Sequence, residues 1–139
     1  MTILLDTNVI SELRKRPGVV NPRVAAWADA QDTDDLRVSV ITVMEIELGV
    51  LLVERRDPAQ GNILRAWFER AVLGDLSRNL LPVDLAVVRL AAALHVPDPR
   101  PERDAYIAAT ALVHGLTVAT RNVADFSPMG VPVLNPWAS

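Results

Sequence analysis

Met1-Thr2-Ile3-Leu4-Leu5-Asp6-Thr7-Asn8-Val9-Ile10 opens the chain, and its reading decides the fold. Ile3-Leu4-Leu5 is an unbroken aliphatic run, the pattern of a short strand covered on both faces, as in a parallel sheet. Asp6 ends that run with a carboxylate that has no packing role. In open α/β sheets ligands bind beyond the carboxyl ends of the strands. Asp6 stands at such an end, so function depends on what else the fold brings to it.

Working outward, strand and helix signals alternate. Val9 to Leu13 begins a helix that stops before Pro17-Gly18. Asn21-Pro22 is a helix start, with Asn at the cap and Pro in the first turn; Val24, Trp27 and Ala28 follow at helical spacing. Asp32 to Asp35 is a polar turn. Leu36 to Ile41 reads as a strand. Thr42 to about Val53 reads as a helix apolar nearly all round, and so buried. Asp57-Pro58 breaks it. Leu64, Trp67, Phe68, Ala71 and Val72 form the next helical stripe. Leu80 to Val83 is a short strand, and Asp84 caps a helix carrying Val87, Leu90, Ala91 and Leu94. Val96 to Pro101 is a stiff proline-rich loop. A helix from about Arg103 to His114 stops at Gly115. Leu116 to Thr120 is a strand, and Val131 to Leu134 another, placed at the sheet edge by Pro132. The alternation predicts an α/β fold with a central, mostly parallel sheet between helical layers.

Composition narrows the class. A chain of 139 residues predicts one domain over 1–139, with a core large enough to hold it. There are no cysteines, which removes disulfides, thiolate metal sites and cysteine nucleophiles, and is compatible with a cytoplasmic location. No signal peptide and no membrane span is expected. The net charge is −3, yet thirteen of the fourteen basic residues are arginine. Guanidinium suits phosphate through its planar fork of donors.

Three more acids stand out by position. Glu45, in Thr42-Val43-Met44-Glu45, lies one and two turns before Leu48 and Leu52 and so on an apolar face; Glu47 points elsewhere and is expected outside. Asp104 shares a face with Ile107, Ala108, Ala111 and Leu112. Asp125 follows the strand that ends near Thr120. Each has an ordinary reading: Thr42-x-x-Glu45 as a capping box, Asp104 as a first-turn acid favoured by the helix dipole, Asp125 as a turn acid. Those readings leave unexplained why the acids share faces with Leu, Ile and Ala. Buried carboxylates are costly unless paired or bound to metal, and oxygen-only ligands favour Mg²⁺ or Mn²⁺ over zinc. His95 and His114 lack ligand spacing. There is no phosphate loop and no nucleophile elbow. Asn8 stands where a haloacid-dehalogenase-type phosphatase has its second Asp.

Four stretches taken together carry a resemblance: Leu5-Asp6-Thr7-Asn8-Val9-Ile10, Thr42-x-x-Glu45-x-x-x-Gly49, Asp104-Ala105-Tyr106-Ile107-Ala108-Ala109-Thr110-Ala111, and Thr120-Arg121-Asn122-x-x-Asp125-Phe126. Their order and spacing resemble PIN-domain proteins, most of all the VapC and FitB toxins of bacterial toxin–antitoxin pairs. The ending Val133-Leu134-Asn135-Pro136-Trp137 resembles FitB-like chains as well. The resemblance implies a three-layer α/β/α PIN fold and Mg²⁺- or Mn²⁺-dependent endoribonuclease activity on RNA. It implies that Asp6, Glu45 and Asp104 are the main metal carboxylates and that Asp125 completes the acidic pocket. Thr7, Asn8, Thr120 and Asn122 take supporting positions. It further implies a homodimer, and a small antitoxin that inserts a tail into the pocket. Two rival classes stand beside this one: a metal-dependent nuclease acting on DNA, and a PIN-like module that grips a partner without catalysis.

Overall fold

The computed structural model describes residues 1–138. Five short strands, β1 (Ile3–Leu5), β2 (Leu36–Ser39), β3 (Leu80–Leu81), β4 (Thr117–Ala119) and β5 (Val133–Leu134), form one sheet in the order β3-β2-β1-β4-β5. Every pairing is parallel. β1 is central, and Leu4 lies opposite Arg37 of β2 and Val118 of β4.

The pleat of β1 divides the core. Ile3 and Leu5 face one side, where they meet Val9, Ile10, Ile46, Val50, Phe68 and Val72. Leu4 faces the other, with Ala105, Ile107, Ala108, Ala111 and Phe126. An aliphatic run buried on both faces is what a sheet between two helical layers requires. One layer holds α1 (Thr7–Leu13), α2 (Pro22–Asp29), α3 (Val40–Arg56), α4 (Pro58–Trp67) and a π-helical continuation over Phe68–Asp75. The other holds α5 (Leu85–Leu94), α6 (Glu102–His114) and α7 (Val123–Phe126). α5 packs on α6 through Val87, Ala91 and Ala109.

Several local signals act as the sequence implies. The Asn21 side chain accepts from the Arg23 and Val24 amides and starts α2. The Asp84 side chain accepts from Val87 N and starts α5. Gly115, at φ +67°, ends α6 in the left-handed conformation. β5 is the edge strand.

Two expectations are corrected on α3. Val40 and Ile41 belong to the helix, because the Ser39 hydroxyl accepts from Ile41 N at 3.0 Å and caps it there. β-branched propensity gave way to a good cap. Nor is α3 buried all round. Its inward face is Thr42, Ile46 and Val50, while Val40, Met44, Leu48, Leu51 and Leu52 form an exposed apolar stripe. The leucines near Glu45 are therefore on the outside. Glu47, expected outside, is partly exposed and pairs with Arg65 of α4, which also holds Glu54. α3 and α4 are in close contact at Gly61, where an added Cβ would lie 2.5 Å from the Glu54 Cα.

Candidate metal centre

Asp6 leaves β1 at its carboxyl end and caps α1. It is 5% exposed, and both of its oxygens accept hydrogen bonds, Oδ1 keeping a free lone pair. Oδ1 accepts from Thr7 N at 2.8 Å; Oδ2 accepts from Thr120 Oγ1 at 2.8 Å and Asn8 Nδ2 at 3.3 Å. The sheet explains the long-range partner. Leu5 pairs with Ala119, so the next residues, Asp6 and Thr120, emerge side by side. Thr120 Oγ1 also accepts from Asn122 N at 3.0 Å, and Asn8 Oδ1 accepts from Arg121 N at 3.3 Å. The four supporting residues named from the sequence thus divide into three that surround Asp6 by side chain or amide, and Asn122, which contributes its backbone.

β2 lies on the other side of β1, and α3 rises directly from its end. That places Glu45 above the same sheet edge. Thr7 Oγ1 donates to Glu45 Oε1 at 2.7 Å, and Thr42 Oγ1 lies 3.2 Å from the Thr7 hydroxyl. Thr42 is fully buried. It does not cap α3, so the capping-box alternative for Thr42 and Glu45 does not hold: Ser39 is the cap.

Asp104 stands in the first turn of α6. Its pKa is pushed up to about 6, first by burial, then by the negative charges of Asp6, Asp125 and Glu45. The pKa of Asp6 is raised too, by burial above all, with Glu45 and Asp125 adding repulsion; the hydrogen bonds from Thr120 and Thr7 pull it back. Asp104 and Asp6 both feel the charges of Glu45 and Asp125, and Asp104 feels that of Asp6 as well, so the four acids share one electrostatic space. Asp125 lies after β4, on the short helix α7, and its side chain is exposed at the rim.

Arg103 is a member the sequence reading missed. Its Nη1 lies 3.6 Å from Glu45 Oε2. A signal existed: an arginine in the first turn of α6 opposes the helix dipole and needs a local reason, which the acids supply. Thr42 was missed as a second hydroxyl because a capping role was the simpler reading of its spacing.

The donor set fits a hard divalent cation: carboxylate and hydroxyl oxygens, with no sulfur and no imidazole. Among the described residues, no three such groups are gathered tightly enough to ligate one ion by themselves. Mg²⁺ does not require that, since it keeps several waters and is held by one or two carboxylates. Asp6, with the partly exposed Glu45 and Asp104 and the exposed Asp125, would be the residues to hold such an ion, the last three with room for its waters. Two clefts of the molecule, of about 690 and 580 Å³, lie elsewhere and include none of the four acids in their lining.

Residues 3–128 match the PIN domain family model. The chain is 42% identical to Toxin FitB of Neisseria gonorrhoeae, over 97% of this chain and 98% of that protein. It is 39% identical to VapC ribonuclease Y4jK of Sinorhizobium fredii, with 97% of each covered. Its fold superposes on the crystal structure of FitAcB from Neisseria gonorrhoeae with a TM-score of 0.88 at 40% identity, covering 99% of this chain and 100% of that one. With the sheet order and these similarities in agreement, the chain belongs to the PIN domain family.

Proposed function

We propose that this protein is a Mg²⁺- or Mn²⁺-dependent endoribonuclease and the toxin of a toxin–antitoxin pair. The observation that carries the reading is the convergence of Asp6, Glu45 and Asp104 from three separate elements, close enough to repel one another. A fold that tolerates such repulsion in part-buried surroundings has a use for it, and a dication relieves it. Similarity to a protein named a VapC ribonuclease supports the nuclease class, and similarity to Toxin FitB supports the toxin role.

When bound, the ion lowers the pKa of a coordinated water and offsets charge on a phosphodiester. The chain's own residues prepare that site. Three donors fix the Asp6 carboxylate. Thr7 orients Glu45 by holding one of its oxygens. Asp104 is mostly ionised at neutral pH, because its pKa of about 6 lies below 7. Arg103, half exposed beside Glu45, is placed to exchange that carboxylate for a substrate phosphate. Asp125, at the rim, orients water or joins a second ion.

The antitoxin would quench the hollow with a cation from outside, as Arg103 does from within. A homodimer is supported by the exposed stripe Val40, Met44, Leu48, Leu51 and Leu52 on α3, since contiguous exposed apolar surface marks association sites. RNA is preferred over DNA on family grounds. Mapping newly formed ends in total RNA after brief induction, with the wild type beside Asp6→Asn, tests the reading. Discrete cuts only with the wild type support it. Purified protein that cuts DNA and leaves RNA intact would replace it with the DNA-directed alternative.

A further inference from the structure

A cleft of about 690 Å³ opens in the helical layer that holds α1, α3 and α4, away from the acids. Its lining includes Arg14, Arg56 and Arg70, with Trp67 and Ile63 as an apolar wall. The three arginines come from three elements: the C-cap of α1, the last turn of α3 and the π-helical turn. Asp57 is the one acid in the lining, and its carboxylate caps α4 through Gln60 N. Among the described residues, none of the three arginines forms an ion pair; the ion pairs present use Lys15, Arg65 and Arg103. The helix dipole accounts for Arg56 at the end of α3, but not for Arg70.

We propose that this cleft binds the phosphate backbone of the RNA strand on one side of the cut. The proposal rests on the ribonuclease reading above. A polyanion brought to four carboxylates, on a chain of net charge −3, needs compensating cations on its path. The path exists in the fold. α1 and α3 both begin at the acidic edge, with Asp6 and Ser39 as their caps, and both run back toward the cleft. From Thr7 to Arg14 is ~10 Å along α1, and from Glu45 to Arg56 ~16 Å along α3, at ~1.5 Å per residue. An extended strand covers that span in a few nucleotides. Arginine forks suit its phosphates, and Trp67 and Ile63 offer apolar surface to its bases.

The test uses the full chain carrying Asp6→Asn to prevent cutting, with and without Arg56→Gln plus Arg70→Gln. Binding of single-stranded RNA oligonucleotides of graded length is measured by fluorescence anisotropy over a salt series. Long oligonucleotides should bind the arginine variant several-fold more weakly. The slope of log K against log salt should fall by ~0.7 for each lost phosphate contact. Oligonucleotides too short to leave the acidic edge should bind equally. Both variants should melt alike; if Arg70→Gln disturbs the fold, Arg14→Gln with Arg56→Gln carries the same test. Equal affinity and equal slope at every length, in a protein that does bind RNA, would overturn the cleft and leave the ribonuclease reading standing. Loss of the cognate antitoxin with RNA affinity unchanged would assign the cleft to a protein instead. A protein that binds no RNA at any length, in either form, sinks both readings.

Discussion

Thr7 Oγ1 donates to Glu45 Oε1 at 2.7 Å, and this bond, with the 3.2 Å contact between the Thr7 and Thr42 hydroxyls, couples the helix that follows β1 to the helix that follows β2. The bond fixes one oxygen of Glu45 and leaves the other for Arg103. Replacing Thr7 with Val removes the donor while keeping the shape. The expected result is a loss of roughly 10–100-fold in activity or metal affinity, the usual cost of removing a partner behind a metal carboxylate. Thr7→Ser should restore most of it. Steady-state kinetics beside a Mg²⁺ titration would show this, and full activity in Thr7→Val would show that Glu45 needs no such orientation.

Asp104 makes stability depend on pH. Its folded pKa of about 6 lies above the ordinary value of 3.8, so the folded state holds this proton more tightly than the unfolded chain. Without metal, stability should therefore fall as pH rises from about 3.8 to about 6, then level off. The raised pKa of Asp6 adds in the same direction. Asp104→Asn should flatten that part of the profile. Melting temperatures of the two proteins across this range, in a metal chelator, are the measurement.

Mg²⁺ should reverse that cost. An ion that binds only the folded state raises the melting temperature with concentration, and the rise should grow as Asp104 ionises above its pKa. Arg103→Ala removes the internal cation beside Glu45. That variant should melt lower without metal, and gain more than the wild type from millimolar Mg²⁺. An identical response in the two proteins would mean that Arg103 and the ion do not compete.

Thr120 is fully buried, and its hydroxyl donates to Asp6 while accepting from Asn122 N and Asn8 Nδ2. Thr120→Val leaves those groups short of a partner and should lower stability by roughly 1–3 kcal/mol. Chemical denaturation reads it out. A comparable loss, about 1–3 kcal/mol, is expected for Gly61→Ala, because the added Cβ would press on the Glu54 backbone at 2.5 Å.

Much of this was legible before any coordinates. Ile3-Leu4-Leu5 carries its own two-sided burial, and Asn21, Asp84 and Gly115 carry their helix boundaries in their side-chain chemistry. Asp6 stood out as a carboxylate ending a buried aliphatic run, and Asp104 as one sharing a face with Ile107, Ala108 and Ala111; both faces are buried in the fold. The apolar face read for Glu45 is instead exposed, and its place beside Asp6 comes from the bond to Thr7. What escaped depends on three-dimensional context. Val40 and Ile41 have strand propensity, and only the cap at Ser39 turns them into helix. The apolar residues of α3 do not announce which of them are covered; the sheet covers Ile46 and Val50 and leaves Leu48 and Leu52 outside. Arg103 and Glu45 are far apart in sequence, so their pairing depends on how α6 sits against α3.

The most direct test of the acidic hollow is the rate at which purified protein cleaves one single-stranded RNA in millimolar Mg²⁺, wild type against Asp6→Asn. Asn retains the cap on α1, so the variant should stay folded and melt no lower without metal. The expected result is cleavage by the wild type that stops on chelation, and none by Asp6→Asn. An Asp6→Asn protein that cuts the same RNA at the wild-type rate would contradict the assignment of Asp6, and with it the centre built around that residue.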